Sequence, residues 1–198
     1  MKFGKRKPLA VETLGSPVLR KPADPVSATD ESLRDLAKLM VETMIRFNGI
    51  GLAAPQIGRS LRMVVLNVPH GEPGGAPLSP GEEAMLPAMP MAILNPEIIE
   101  SSAETARREE GCLSVPGIWA EVERPRKIRF RATLLSGNTI EYECDGMLAR
   151  CLQHEIDHLN GVVFIDRLDK TAADKVALKV RNLRREGGRS NYRRVLES

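Results

Sequence analysis

The chain reads as one α+β domain, with antiparallel strands packed around a central helix, an N-terminal helix and a C-terminal helix. Three observations predict this class. Leu33, Leu36, Met40, Met44 and Phe47 recur at steps of three and four residues, the spacing of an amphipathic helix. Short β-branched runs bounded by Gly, Pro and Asn follow, and two of them flank Ser136-Gly137-Asn138 as the arms of a hairpin. A second strongly patterned helix, over Met147–Asn160, then carries His154 and His158 on one face. No repeat or linker divides the sequence, so residues 1–170 read as a single domain and 171–198 as its basic C-terminal helix and tail.

Taken in order, residues 1–26 are punctuated by Pro8, Pro17, Pro22 and Pro25 and predict an extended arm lying over the domain. The first helix is expected from about Asp30 to Phe47, behind candidate caps at Ser27, Thr29 and Asp30. Gly49–Gly58 is rich in small residues with one amide, Gln56; it lacks the Lys-Ser/Thr of a phosphate loop and reads as a turn. Leu61–Val68 predicts a strand, Pro69–Pro90 a long surface loop, and Ala92–Ile99 a short strand broken at Pro96. Glu109–Pro116 closes against a turn at Pro116-Gly117, and the hairpin arms are Lys127–Leu135 and Thr139–Cys144. Val162–Ile165 reads as a short strand. Thr171–Arg185 is a last helix, capped by Thr171 and stopped at Gly187-Gly188.

Composition narrows the class. With 198 residues and 42% hydrophobic content the chain can bury a core, and at 4% aromatic content aliphatic residues and methionine must fill it. A net charge of +3 is too small to imply nucleic-acid binding by itself. Cys112, Cys144 and Cys151 are odd in number and irregularly spaced, which argues against a disulfide framework and for a reducing compartment. No apolar run is long enough to span a membrane, and basic Met1–Pro8 lacks the apolar segment of a signal peptide. A cytoplasmic location is expected, with no membrane partner.

The chemistry concentrates in Gln153-His154-Glu155-Ile156-Asp157-His158. Imidazoles one helical turn apart can share a divalent metal, and Glu155 beside them is placed to act as a base on water. An ordinary half-buried helix would carry the same letters, so the rest of the chain must decide. A catalytic metal needs a third protein ligand. No histidine follows His158, and His70 lies in the Pro/Gly loop, where a solvated role is expected. That points to a cysteine. Cys112 lies in a Gly-Cys-Leu-Ser turn and Cys144 in a strand, while Cys151 shares the histidines' helix face, where it would also serve as a small pocket-lining thiol.

Three segments in order resemble the peptide deformylases: Gly49-Ile50-Gly51-Leu52-Ala53-Ala54-Pro55-Gln56, Glu110-Gly111-Cys112-Leu113-Ser114, and Gln153-His154-Glu155-Ile156-Asp157-His158. The resemblance runs from about Val18 to Asp169, and the insertion Pro69–Pro90 falls between motifs. It implies that Cys112, His154 and His158 hold one divalent metal, with Fe(II) expected and zinc or nickel as substitutes. It also implies Glu155 as the base, Gln56 and the Leu113 N–H as oxyanion donors, and an N-formyl-methionyl peptide as substrate. The peptide backbone would lie along Ile50 and Gly51, with Gly111 in contact, and Trp119, Met147, Leu148 and Cys151 would complete a methionine slot with Ile50. Asp157 and Glu110 are expected to orient other groups, and Arg150 to reach solvent or an acid. The competing reading is an H-E-x-x-H endopeptidase, disfavoured by the missing downstream histidine. A structural-metal or RNA-binding module would need a fourth protein ligand, and none stands out. The basic segment after Lys170 is either a solvated helix or a handle for the ribosome.

Overall fold

The computed structural model describes residues 8–70 and 77–186. Among these residues seven strands form two antiparallel sheets. The larger has the order β1-β2-β3-β6-β7, with β1 at Gly51–Ala53, β2 at Met63–Leu66, β3 at Met91–Ser101, β6 at Ile128–Leu134 and β7 at Thr139–Cys144. The smaller is a long hairpin of β4 (Thr105–Cys112) and β5 (Val115–Pro125).

At β2 the larger sheet is covered on both faces, which explains why all four residues of that strand are buried. Successive side chains point to opposite faces. Met63 and Val65 accordingly join Leu33, Met40 and Met44 of helix α1 (Ser32–Arg46) in one core cluster. Val64 and Leu66 join Leu148 and Leu152 of helix α3 (Gly146–Leu159) in another. The helix carrying both histidines therefore runs through the middle of the molecule, with Leu148 through Leu159 all buried. A third cluster packs Val115, Ile118 and Val122 of the hairpin against Val163, Phe164 and helix α4 (Lys170–Glu186).

The predicted helices and the β6–β7 hairpin are present, and several local expectations need correction. Pro69–Pro90 is not structureless: Pro80–Met85 forms a short helix α2, and Met85 and Leu86 enter the core. Its N-cap Ser79 accepts a hydrogen bond from the backbone N–H of Asp145 at 3.2 Å, which ties the insertion to the start of α3. β3 is not broken at Pro96; the ladder absorbs the proline by a register shift between Leu94 and Glu97, with Asn95 at φ 49°. Pro116-Gly117 lies within β5, and the tight connection is Leu113-Ser114 instead. The expected strand at Val162–Ile165 is a 3₁₀ turn over Phe164–Arg167. Helix α4 is capped by the carboxylate of Asp169, which accepts from the Ala172 N–H at 2.8 Å, rather than by Thr171. Its expected stop at Gly187-Gly188 lies outside the described residues.

Gly161 ends the central helix as expected, at φ +76°. A Cβ there would also come within 2.9 Å of the Arg20 carbonyl carbon, so the N-terminal arm fixes this position a second time.

Candidate metal centre

Helix α3 presents His154 and His158 one turn apart, with ring centroids 5.1 Å from each other. The β4–β5 hairpin folds over them and brings Cys112, the last residue of β4, to their side. Its sulfur lies 3.1 Å from His158 Nε2, and one ligand atom from each of the three residues lies within 4.8 Å of the others. The donor set fits a divalent first-row metal on the evidence of the atoms around it. His154 Nδ1 is hydrogen-bonded to Glu110 Oε2 at 2.8 Å, which leaves Nε2 as its metal-binding nitrogen. Burial would lower the His154 pKa, but hydrogen bonds to Cys112 and Glu110 raise it; His158 is pushed down by burial and by His154 and Arg124.

Behind the ligands lies a buried network of charge. Arg124, only 4% exposed, grips Glu110 through two hydrogen bonds of 2.7 and 3.0 Å and reaches Asp157 at 2.8 Å. Arg150 adds a bond to Glu110 at 2.6 Å, and Arg167 one to Asp157 at 2.6 Å. Burial alone would raise the Glu110 pKa, yet His154 and Arg124 outweigh it and hold this carboxyl at about 2. Asp157 and Glu110 thus orient neighbouring groups, as their positions in the sequence suggested, and Arg150 reaches an acid inside the protein rather than solvent. Arg124 was not legible in advance. The available signal was indirect: two acids next to metal-ligand candidates, bound for the interior, demand a cation.

Glu155 points the other way, into a cavity of about 490 Å³ that opens over Cys112 and His154. Burial lifts its pKa to about 7, against the opposing pull of His154, and its Oε2 has no hydrogen-bond partner among the described residues. Gly51 makes room for it. A Cβ at that position would collide with Glu155 Oε1 and lie 2.8 Å from Cys151 Sγ. Gln56 accepts from the Ala53 N–H through Oε1 at 2.8 Å, which turns its Nε2 toward Cys112 Sγ at 3.4 Å and Ser114 Oγ at 3.3 Å. The N-terminal arm braces both segments, since Glu12 N–H donates to the Gln56 carbonyl at 2.7 Å and Leu14 N–H to that of Ser114 at 2.8 Å.

Of the residues expected to contact substrate, Ile50, Gly51, Gly111, Trp119, Met147 and Cys151 line the cavity, as do Gln56 and Leu113. Leu148 does not. It is fully buried in the core against the sheet, because α3 turns it about 100° away from Met147. Cys151 is buried beside Glu155, whereas Trp119 at 63% and Met147 at 43% exposure stand at the rim. Cys144 is buried at the end of β7 against Gly81 of α2, away from the ligands.

A sequence model of the family described as polypeptide deformylase matches residues 8–174. The chain belongs to the peptide deformylase family. It is 44% identical to the peptide deformylase of Mesorhizobium japonicum over 180 residues, 91% of this chain and 94% of that one. It is also 44% identical to that of Thermotoga neapolitana, over 80% of this chain and 85% of the relative. The crystal structure of the Thermotoga maritima peptide deformylase superposes with a TM-score of 0.71 at 41% identity, covering 83% of this chain and 99% of that one. Peptide deformylases hydrolyse the N-formyl group of newly made polypeptides, and this chain is such a metal-dependent hydrolase. The endopeptidase reading is not favoured.

Proposed function

We propose that Cys112, His154 and His158 hold one ferrous ion, for which zinc or nickel substitutes, and that Glu155 is the base for hydrolysis of formylmethionine at the start of a new polypeptide. The single observation that carries this assignment is the convergence of one sulfur and two imidazoles within 4.8 Å beneath a cavity into which Glu155 projects. When bound, the ion acidifies water and polarises the formyl carbonyl. Glu155 takes the proton from the attacking water and returns it to the departing nitrogen as the C–N bond breaks, leaving formate and a free amine. A carboxyl lifted to about 7 suits both transfers. The Gln56 side-chain amide and the Leu113 N–H donate to the oxygen that gains charge, each worth about 3 kcal/mol in comparable sites. Glu110, held as a carboxylate, keeps His154 in one tautomer.

The methionine side chain occupies the apolar recess lined by Ile50, Met147 and Cys151, with the peptide backbone running past Gly51 as an added strand. The test is anaerobic purification with metal analysis, followed by formate release from formyl-Met-Ala beside a blocked internal peptide. Formate from the first and no cleavage of the second is expected. Turnover of the blocked peptide would overturn the reading.

Residues 1–170 are read as the catalytic domain, with 171–198 its basic helix and tail. Val176, Val180 and Leu183 of α4 pack on the β4–β5 hairpin, which supports reading α4 as part of the same domain. Lys175, Lys179, Arg181, Arg184 and Arg185 of α4 are exposed around the solvent side of the helix, a basic surface that favours ribosomal RNA in the cytoplasm, where formylated chains emerge. Arg189, Arg193 and Arg194 lie outside the described residues. Among the described residues no helix is long and apolar enough to cross a membrane. Co-sedimentation of the full chain with ribosomes, weakened by salt and by Arg181→Glu with Arg184→Glu, is the expected result.

A further inference from the structure

The rim of the cavity carries chemistry that deformylation itself does not require. Trp119 pairs with Gly111 across the β4–β5 hairpin, and its six-membered ring lies directly on that glycine. A Cβ on Gly111 would come within 2.7 Å of ring atoms Cε3 and Cζ3, so the indole is seated on bare backbone one residue from the ligand Cys112. The ring is nevertheless 63% exposed, too open to wall the deep recess that Cys151 lines. It is a large apolar face at the rim of the cavity that opens over Cys112 and His154.

The next cross-strand pair on the same face is Glu109 with Glu121, two exposed carboxylates placed opposite each other. Like charges in that position repel. Neither makes an ion pair among the described residues, although the third pair along the face, Arg107 with Glu123, is joined at 2.9 Å. Arg107 is also engaged by Asp169 at 2.8 Å and does not serve the two glutamates. Glu109 itself lines the cavity, next to Trp119 and Gly111. An aromatic face beside two uncompensated carboxylates is a surface for a cation, which gains from the ring quadrupole and from the charge.

We propose that Trp119, Glu109 and Glu121 form a specificity rim that selects formyl-methionyl peptides bearing Lys or Arg just after the methionine. Consecutive Cα atoms lie about 3.8 Å apart, so with the formyl group at the metal the next one or two residues reach a ring seated beside Cys112. The long aliphatic stem would lie on the indole and the charged head between the glutamates.

This inference rests on the deformylase reading of the site, and the experiment keeps the two apart. Formate release is measured for formyl-Met-Ala, formyl-Met-Lys and formyl-Met-Glu, each with a short neutral extension, in wild type, Trp119→Ala and the double variant Glu109→Gln with Glu121→Gln. The expected wild-type kcat/KM is about three- to tenfold higher for the Lys peptide than for the Glu peptide. That ratio should shrink as salt is raised and fall toward one in both variants. A separate pair, formyl-Met-Ala against formyl-norleucine-Ala, reports on the deep recess; the ratio for that pair should be the same in all three proteins. A Lys/Glu ratio near one in wild type overturns the rim. So does an unaltered ratio in the double variant, and so does a Trp119→Ala effect confined to the methionine–norleucine pair. Absence of turnover for every peptide in the metal-loaded wild type would instead overturn the assignment of the site.

Discussion

Arginines meet carboxylates in two places in this molecule, and the two places are governed by different physics. Around the metal centre, Arg124 is buried between Glu110 and Asp157, with every bond 3.0 Å or shorter. On the outer face of β3, β6 and β7, Arg129 and Arg131, with side chains 44% and 50% exposed, bridge Glu97, Glu100 and Glu141. Distances are similar in the two networks. The difference is water. Exposed pairs gain little Coulomb energy and are screened by salt. A buried charge that loses its partner has no solvent to replace it. The inner network therefore fixes geometry, setting the His154 ring through Glu110, while the outer one keeps an exposed sheet face polar.

If that contrast holds, the effects of substitution should fall off from the ligands outward. The largest effect is expected at Cys112→Ala, which removes one of three donors and should abolish stoichiometric metal binding, read by metal analysis after gel filtration. Cys144→Ser and Cys151→Ala should retain the metal, because Cys144 lies at the far end of β7 and Cys151 lines the cavity wall. Loss of metal in Cys151→Ala would break the ligand assignment. Next comes Glu155→Ala, expected to keep the metal and the fold and to lose on the order of 10²–10⁴-fold in kcat. Near-normal kcat would remove Glu155 from its role.

How far the sequence reached follows the same gradient in reverse. His154, Glu155 and His158 were legible because their geometry is local, set by a helix whose apolar pattern also showed. Gln56 and Cys112 came from resemblance, since nothing in the spacing of residues 56, 112 and 154 says that they meet. Arg124 was missed although β5 alternates cleanly and puts it in register with buried Ala120 and Val122, because an arginine there reads as a solvated strand end. Half of Thr105–Cys112 is charged, and the one charged residue that turns inward is Glu110, the partner of His154 on α3. Leu148 was misplaced by reading a helix face too broadly. Pro80–Met85 was passed over because Pro and Gly at its start suggested a loop, although Pro80 sits in the first turn, where a missing N–H costs nothing, and Ser79 with Glu82 forms a capping box.

Arg124→Leu tests the inner network directly. The substitution leaves Glu110 and Asp157 facing each other's neighbourhood without the cation that separates them. Breaking a buried pair costs about 3–5 kcal/mol, and chemical denaturation should show it as a lower midpoint. Metal affinity should fall by about 10–100-fold as well, because Glu110 no longer holds His154 from a fixed position. Arg150 still bonds Glu110 at 2.6 Å, so the loss should be smaller in Arg124→Leu than in a variant lacking both arginines.

Arg131→Ala on the outer face is the smallest expected effect and the one that most sharpens the comparison. Its guanidinium bonds Glu141 at 3.0 Å and Glu97 at 3.4 Å, so by contact geometry it looks as well engaged as Arg124. Exposure decides otherwise. Water rehydrates both glutamates once the arginine is gone, and Arg129 still bonds Glu141 at 2.7 Å. The denaturation midpoint should hardly move, and whatever change appears should vanish at high salt, whereas the Arg124→Leu deficit should persist there because its charges are shielded from ions. A salt-resistant loss in Arg131→Ala as large as that in Arg124→Leu would mean that the two networks do the same work, and that burial is not what separates them.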